Sequence, residues 1–151
     1  MIDGAGAEAS RIALLDFITQ YRVEHDVEDV YLMGFSQGAI MATVAAATEP
    51  AKVQGAVVLS GRFPKEFQPG IVTADELAKT ALWVGHGTDD EKLPIHHGRA
   101  TQALLVAVGA PLTYREYPAG HAITPEMQSD AHRWLTETMG ARLRENGVRP
   151  A

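Results

Sequence analysis

The chain has 151 residues and no cysteine, and 19 Asp and Glu against 13 Lys and Arg leave a formal net charge of −6. That length suits one domain, residues 1–151, able to bury about two thirds of its unfolded surface. The acidic balance argues against nucleic acid or an anionic membrane as partner, since both need a basic face, and the lack of cysteine excludes disulfides and thiolate metal sites. Met1-Ile2-Asp3-Gly4 shows neither a basic nor an apolar leader region, and no apolar run is long enough to span a membrane, so a cytoplasmic protein is expected.

Residues 7–24 place Ile12, Leu15 and Ile18 on one stripe with Leu14, Phe17 and Tyr21 beside it, which predicts a helix starting at Asp3 or Gly6. Residues 28–35 read as the first strand and Gln37 to Thr48 as a helix of small residues able to lie close to a sheet. Val53 to Ser60 is the second strand. Arg62 to Ala78 is irregular, broken by Pro64, Pro69 and Gly70, with a helical turn at 74–78. Residues 81–85 form the third strand, Pro94 opens a helix at its first position, and Gly109 closes it. The fourth strand is 112–117, and Thr124-Pro125-Glu126 caps a final helix running to about Glu145. Strictly alternating strands and helices imply an α/β fold with a mainly parallel sheet of about four strands flanked by helices.

Gly34-Phe35-Ser36-Gln37-Gly38 lies at the first strand-to-helix turn. A serine on so sharp a turn is pushed out above the sheet, and flanking glycines let the two backbones approach. There is no Gly-x-Gly-x-x-Gly and no Walker lysine, which sets phosphate binding aside. An alcohol needs a base to become a nucleophile, and the base in turn needs an orienting group. Gly85-His86-Gly87-Thr88-Asp89-Asp90 follows the third strand and Pro118-Ala119-Gly120-His121 follows the fourth, so serine, acid and histidine occur in that order, each after a strand. Parallel strands carry the loops after them to one crevice, which makes His121 the candidate base. His25 and His132 read as surface residues. His96 and His97, adjacent in a first helical turn, point apart and do not suit a metal, and His86 supports the acid loop through hydrogen bonds.

Three segments, Gly34-Phe35-Ser36-Gln37-Gly38, His86 to Pro94 and Gly120 to Glu126, resemble the phospholipase/carboxylesterase family of α/β-hydrolases, over roughly Glu8 to Leu143. The resemblance implies an α/β-hydrolase-like sandwich with a shortened sheet, and assigns the acid to Asp90 rather than Asp89. It implies a serine hydrolase of carboxylic esters or acyl thioesters, with Ser36 as nucleophile, His121 as base and Asp90 as orienting acid, using no metal and no cofactor. The Gln37 N–H, at the start of a helix, would bind the oxyanion. No His-Gly-x-Gly-like segment precedes Ser36, so the second oxyanion donor has no source in the sequence. The alternative reading is a weak or inactive hydrolase remnant that binds or assembles.

Phe63, Leu93 and Ile123, each beyond a strand end, are expected to rim the crevice as substrate-binding residues. Val30-Tyr31-Leu32-Met33 is expected to form an open sheet edge with neither lysine nor proline, covered in a homo-oligomer or by a partner chain.

Overall fold

Parallel strands cannot be joined by hairpins and need crossovers of a dozen or more residues, and the segments between the apolar runs here meet that need with helices. The computed structural model describes residues 4–147. Helix α1 (Gly4–His25) precedes β1 (Tyr31–Phe35), α2 (Gln37–Thr48) and β2 (Gly55–Leu59). A 3₁₀ helix (Lys65–Gly70) and α3 (Ala74–Leu77) lead to β3 (Ala81–Gly87), followed by α4 (Ile95–Ala107), β4 (Leu112–Tyr117) and α5 (Pro125–Glu145). The four strands form one parallel sheet in the order β1-β2-β3-β4.

Alternate residues of the strands feed two cores. Ala56, Val58, Leu82 and Val84 pack against Leu15 and Ile18 of α1, the alanines of α2, Leu77 of α3 and Leu105 of α4. Val57, Leu59 and Trp83 face the other way, onto Met127 and Ala131 of α5. Helices α2 and α5 and strand β4 have the bounds expected. The Thr124 hydroxyl accepts from the Met127 N–H with Pro125 in the first turn, and Gly109 sits at φ 83° just past α4.

Several expectations are corrected. Pro94 is the N-cap of α4, not its first residue, and β3 runs two residues past 85. The irregular stretch contains the 3₁₀ helix, closed by the Phe67 N–H on the Pro64 carbonyl and the Ile71 N–H on the Gln68 carbonyl. Helix α1 is already formed at Gly4, ahead of Gly6, while Asp3, the other expected start, lies outside the described residues. Its apolar stripe is broader than the face it buries. Leu15 and Ile18 are covered, but Ile12, Tyr21 and Phe17, the last 61% exposed, face solvent because α1 packs chiefly on α2 at the margin of the sheet.

The two glycines around Ser36 are not equivalent. A Cβ on Gly34 would collide with the Gly38 carbonyl and the Ala39 nitrogen, whereas one on Gly38 would meet nothing within 4 Å. Gly34→Ala should therefore destabilise the fold by roughly 1–3 kcal/mol or more, while Gly38→Ala, in a helix, should be neutral or stabilising by up to about 1 kcal/mol. Urea unfolding of both variants measures this. Equal destabilisation would show that the close approach of β1 and α2 is not the constraint.

Candidate active site

Ser36 joins β1 to α2 at φ 58°, ψ −115°, a conformation that non-glycine residues rarely adopt. The strain is held on both sides: the Ser36 N–H donates to the Leu59 carbonyl at 3.0 Å, and its own carbonyl accepts from Ile40 at 3.1 Å. A serine in the N-cap position commonly turns its hydroxyl back onto the helix. Here the twisted backbone aims Oγ away, to 3.1 Å from His121 Nε2. The Gln37 N–H is the first of α2 and has no carbonyl four residues back within the helix, so it stands where a developing negative charge is favoured.

His121 follows β4 and is 13% exposed at its side chain. Its Nδ1 lies 2.7 Å from Asp90 Oδ2, and since a carboxylate only accepts, Nδ1 carries the hydrogen and Nε2 is left to receive one from Ser36. The Phe35 ring packs on the imidazole with centroids 4.8 Å apart. The Asp90 side chain is fully buried. Its Oδ1 accepts from the N–H groups of Lys92 at 3.0 Å and Leu93 at 2.8 Å, which leaves Oδ2 for the imidazole. Burial pushes this carboxyl up, but the Leu93 N–H, the His121 hydrogen bond and the charges of His121 and His86 together hold it below the ordinary value. Asp89 is exposed, and only its N–H is engaged, on the Ala119 carbonyl.

The acid and histidine loops are pinned to each other. Thr88 donates its N–H and its hydroxyl to the Tyr117 carbonyl, at 2.8 and 3.2 Å. A Cβ on Gly87 would strike the Ala119 carbonyl, so only glycine permits this approach. Thr88 and Ser60 escaped the sequence reading. Ser60, fully buried at φ 55°, directly follows β2 and donates its N–H to the Gly85 carbonyl at 2.9 Å. The expected second strand, Val53 to Ser60, includes it, so no local signal marked it.

The other expected site residues divide. Leu93 is half-buried and tied to the acid loop, and Ile123 is 46% exposed. Phe63 is a core residue rather than part of a rim: 7% exposed, it packs with Ile40, Val44 and Phe67 while its N–H bonds the Thr101 hydroxyl. His25 and His132 are exposed, as expected. The rings of His96 and His97 do not diverge but stack at 4.1 Å. Among the described residues no group of three or more His, Asp or Glu is placed to hold a metal ion.

The family model for phospholipase/carboxylesterase matches residues 11–139. The chain belongs to the phospholipase/carboxylesterase family. A probable carboxylesterase, SOBER1-like, of Arabidopsis thaliana is 30% identical over 115 residues, 74% of this chain and 43% of that protein. Acyl-protein thioesterase 1 of Debaryomyces hansenii is 30% identical over 139 residues, 89% of this chain and 60% of its own. The solved structure of Zea mays acyl-protein thioesterase 2 shares the fold, with a TM-score of 0.78 at 24% identity over 90% of this chain and 66% of that one. The chain thus spans about half the length of the curated relatives it matches. This is the α/β-hydrolase architecture expected of the family, here with four parallel strands flanked by helices.

Because its folded value is depressed, ionised Asp90 stabilises the fold. That contribution is complete above the unfolded carboxyl's pKa of about 3.9 and is lost as pH falls through the lower folded value. In urea unfolding, the stability advantage of the wild type over Asp90→Asn should shrink as pH falls below about 4. A difference unchanged down to pH 2 would mean that the carboxylate has no favoured place in the fold.

Proposed function

We propose that the chain hydrolyses carboxylic esters or acyl thioesters through an acyl-enzyme on Ser36. The observation that carries this reading is the hydrogen-bonded series Ser36 Oγ, His121 Nε2, His121 Nδ1 and Asp90 Oδ2, with separations of 3.1 and 2.7 Å across its two bonds. Ser36 Oγ attacks the carbonyl carbon as its proton passes to His121 Nε2, and buried Asp90 steadies the imidazolium so formed. The Gln37 N–H faces the oxyanion. The tetrahedral adduct collapses as His121 returns the proton to the leaving alcohol or thiol, and water then repeats the sequence on the acyl-enzyme. The chemistry calls for no metal and no organic cofactor. Leu93 and Ile123 supply apolar surface for an acyl or alkyl chain. The compartment proposed is the cytoplasm, in keeping with an acidic chain without cysteine; among the described residues no helix is long and apolar enough to cross a membrane.

The second reading, a remnant that binds or assembles without turnover, is favoured by a relative of different standing, a probable inactive carboxylesterase of Oryza sativa that is 27% identical. A fluorophosphonate probe with p-nitrophenyl butyrate decides between them. The wild type should label, and Ser36→Ala and His121→Ala should abolish labelling with the fold intact. Asp90→Asn should cut turnover by about 10²–10⁴-fold while Asp89→Asn leaves it nearly unchanged. An unlabelled wild type overturns the hydrolase reading, and equal losses at the two aspartates overturn the assignment of the acid.

The same reading includes a second copy of the chain at the β1 edge. The Val30 carbonyl and the Ser36 N–H both bond into β2, so the N–H and C=O groups of Tyr31, Met33 and Phe35 face away from the sheet. Beside them lie Met33, 60% exposed, and an apolar groove of about 320 Å³ lined by Leu14, Phe17, Tyr21, Val30 and Leu32. The edge is self-complementary: antiparallel pairing about Met33 sets Tyr31 opposite Phe35 of the second copy and brings the two α1 helices together at Phe17 and Tyr21. Sedimentation and turnover over one dilution series should show a dimer burying at least about 1,000 Å² that dissociates in Met33→Lys. A compact monomer with undiminished turnover per chain, or pairing only with an added separate chain, would overturn it.

A further inference from the structure

His86 lies on β3 outside the Ser36–His121–Asp90 series, and its ring is entirely buried. Its Nε2 is 2.6 Å from the Leu93 carbonyl, and because that oxygen only accepts, Nε2 carries the hydrogen. The Leu93 N–H, on the same residue, donates to Asp90 Oδ1 at 2.8 Å. Leu93 is therefore gripped at both polar groups, by the acid on one side and by His86 on the other. His86 Nε2 is 3.7 Å from Asp90 Oδ2, too far for a hydrogen bond, so the hydrogen bonds by which it holds the acid in place run through the loop.

The other ring nitrogen makes the arrangement costly. His86 Nδ1 is buried without a hydrogen-bond partner among the described residues, packed directly on Gly98 of α4, where a Cβ would come to 2.8 Å from it. Leaving a buried polar atom unsatisfied destabilises the fold, a loss that an apolar side chain of the same size would avoid. What such a side chain could not supply is the Nε2–H.

We infer that His86 is a positioning residue for the proposed hydrolysis, on which this inference rests. Its Nε2–H locks the Leu93 peptide so that two loop N–H groups stay on Asp90 Oδ1 and Oδ2 stays aimed at His121 Nδ1. Without that lock the 90–93 turn rotates, the carboxylate swings, and His121 loses the partner that fixes which nitrogen faces Ser36.

The test uses the full chain with p-nitrophenyl butyrate and the fluorophosphonate probe. His86→Met fills the space with no donor, whereas His86→Gln sets an amide N–H near the place of Nε2. His86→Met should lower kcat by about 10–100-fold with KM within about twofold, and His86→Gln should recover to within about threefold of the wild type. In an Asp90→Ala background His86→Met should cost no more than about a further twofold, since it acts through that acid. Gly98→Ala, which pushes the ring from the α4 side, should reproduce the kcat defect and decides the matter if His86→Met fails to fold. Wild-type kcat in His86→Met, a Gln variant no better than Met, or full additivity with Asp90→Ala overturns the inference. A wild type that does not label with the probe overturns the hydrolase reading instead.

Discussion

Three backbone hydrogen bonds beyond the carboxyl ends of the strands govern the rest of this structure. Ser36 donates to Leu59, Ser60 to Gly85 and Thr88 to Tyr117, at 2.8–3.0 Å, each carrying the pairing of one strand with its neighbour one bond past the donor strand's end. A parallel sheet sends every strand out on the same side, so the turn after β1 and the loops after β3 and β4 leave the sheet at one edge. These bonds fix where each of them leaves. Their cost is visible in the backbone: Ser36 and Ser60 sit at φ 58° and 55°, each worth about 1–3 kcal/mol of strain in a residue with a Cβ. The buried strands beneath, with Val57, Val58 and Leu59 at most 2% exposed, provide the packing that holds both residues there.

The electrostatics of the site follow from which carboxylate that frame encloses. A buried carboxylate without partners would be driven to protonate. Asp90 avoids this by dividing its oxygens, one taking two N–H groups of its own loop and the other the imidazole. Asp89, one residue earlier, points to solvent and cannot be exchanged for it. Glu116 shows the contrasting case. It too is held low, to about 2, by hydrogen bonds from Arg99 and Tyr114, but it lies on the surface of β4, where an ion pair tethers side chains without ordering a reaction. A depressed carboxyl is therefore not by itself the mark of a site; burial together with a directed second oxygen is.

These distinctions were unevenly legible in the sequence. Helices α2 and α5 could be bounded because their start signals, the glycine turn and the Thr-Pro cap, act within a few residues. The serine and the histidine could be named because strand order brings the loops after parallel strands together, whereas the choice of Asp90 over Asp89 rested on the family resemblance. Pairwise packing was out of reach. Nothing in the local pattern of α1 says that Ile12 and Phe17 stay in solvent, since that depends on where the sheet ends. Phe63 follows a strand as a crevice residue would, yet the chain turns it inward against α2. Ring stacking at His96 and His97 depends on side-chain rotation, which helical spacing does not set.

The two edges of the sheet carry different protection. On β4, Arg115 and Glu116 are exposed, and Arg99 and Tyr114 converge on Glu116, so the outer strand presents charge, which discourages pairing. On β1 no charged residue occurs between Val30 and Phe35, and α5 buries its core contacts over β2 and β3, leaving Met33 in solvent. Acid and histidine thus stand on strands that pair with each other and are tied again above the sheet. The serine stands on a strand with β2 alone beside it and α2 behind. Of the three groups it bears the strained backbone, anchored through its N–H on Leu59 of β2 and its carbonyl on Ile40 of α2. In the proposed dimer the second copy would add its hydrogen bonds to the strand that carries the chain into Ser36, on the side opposite β2.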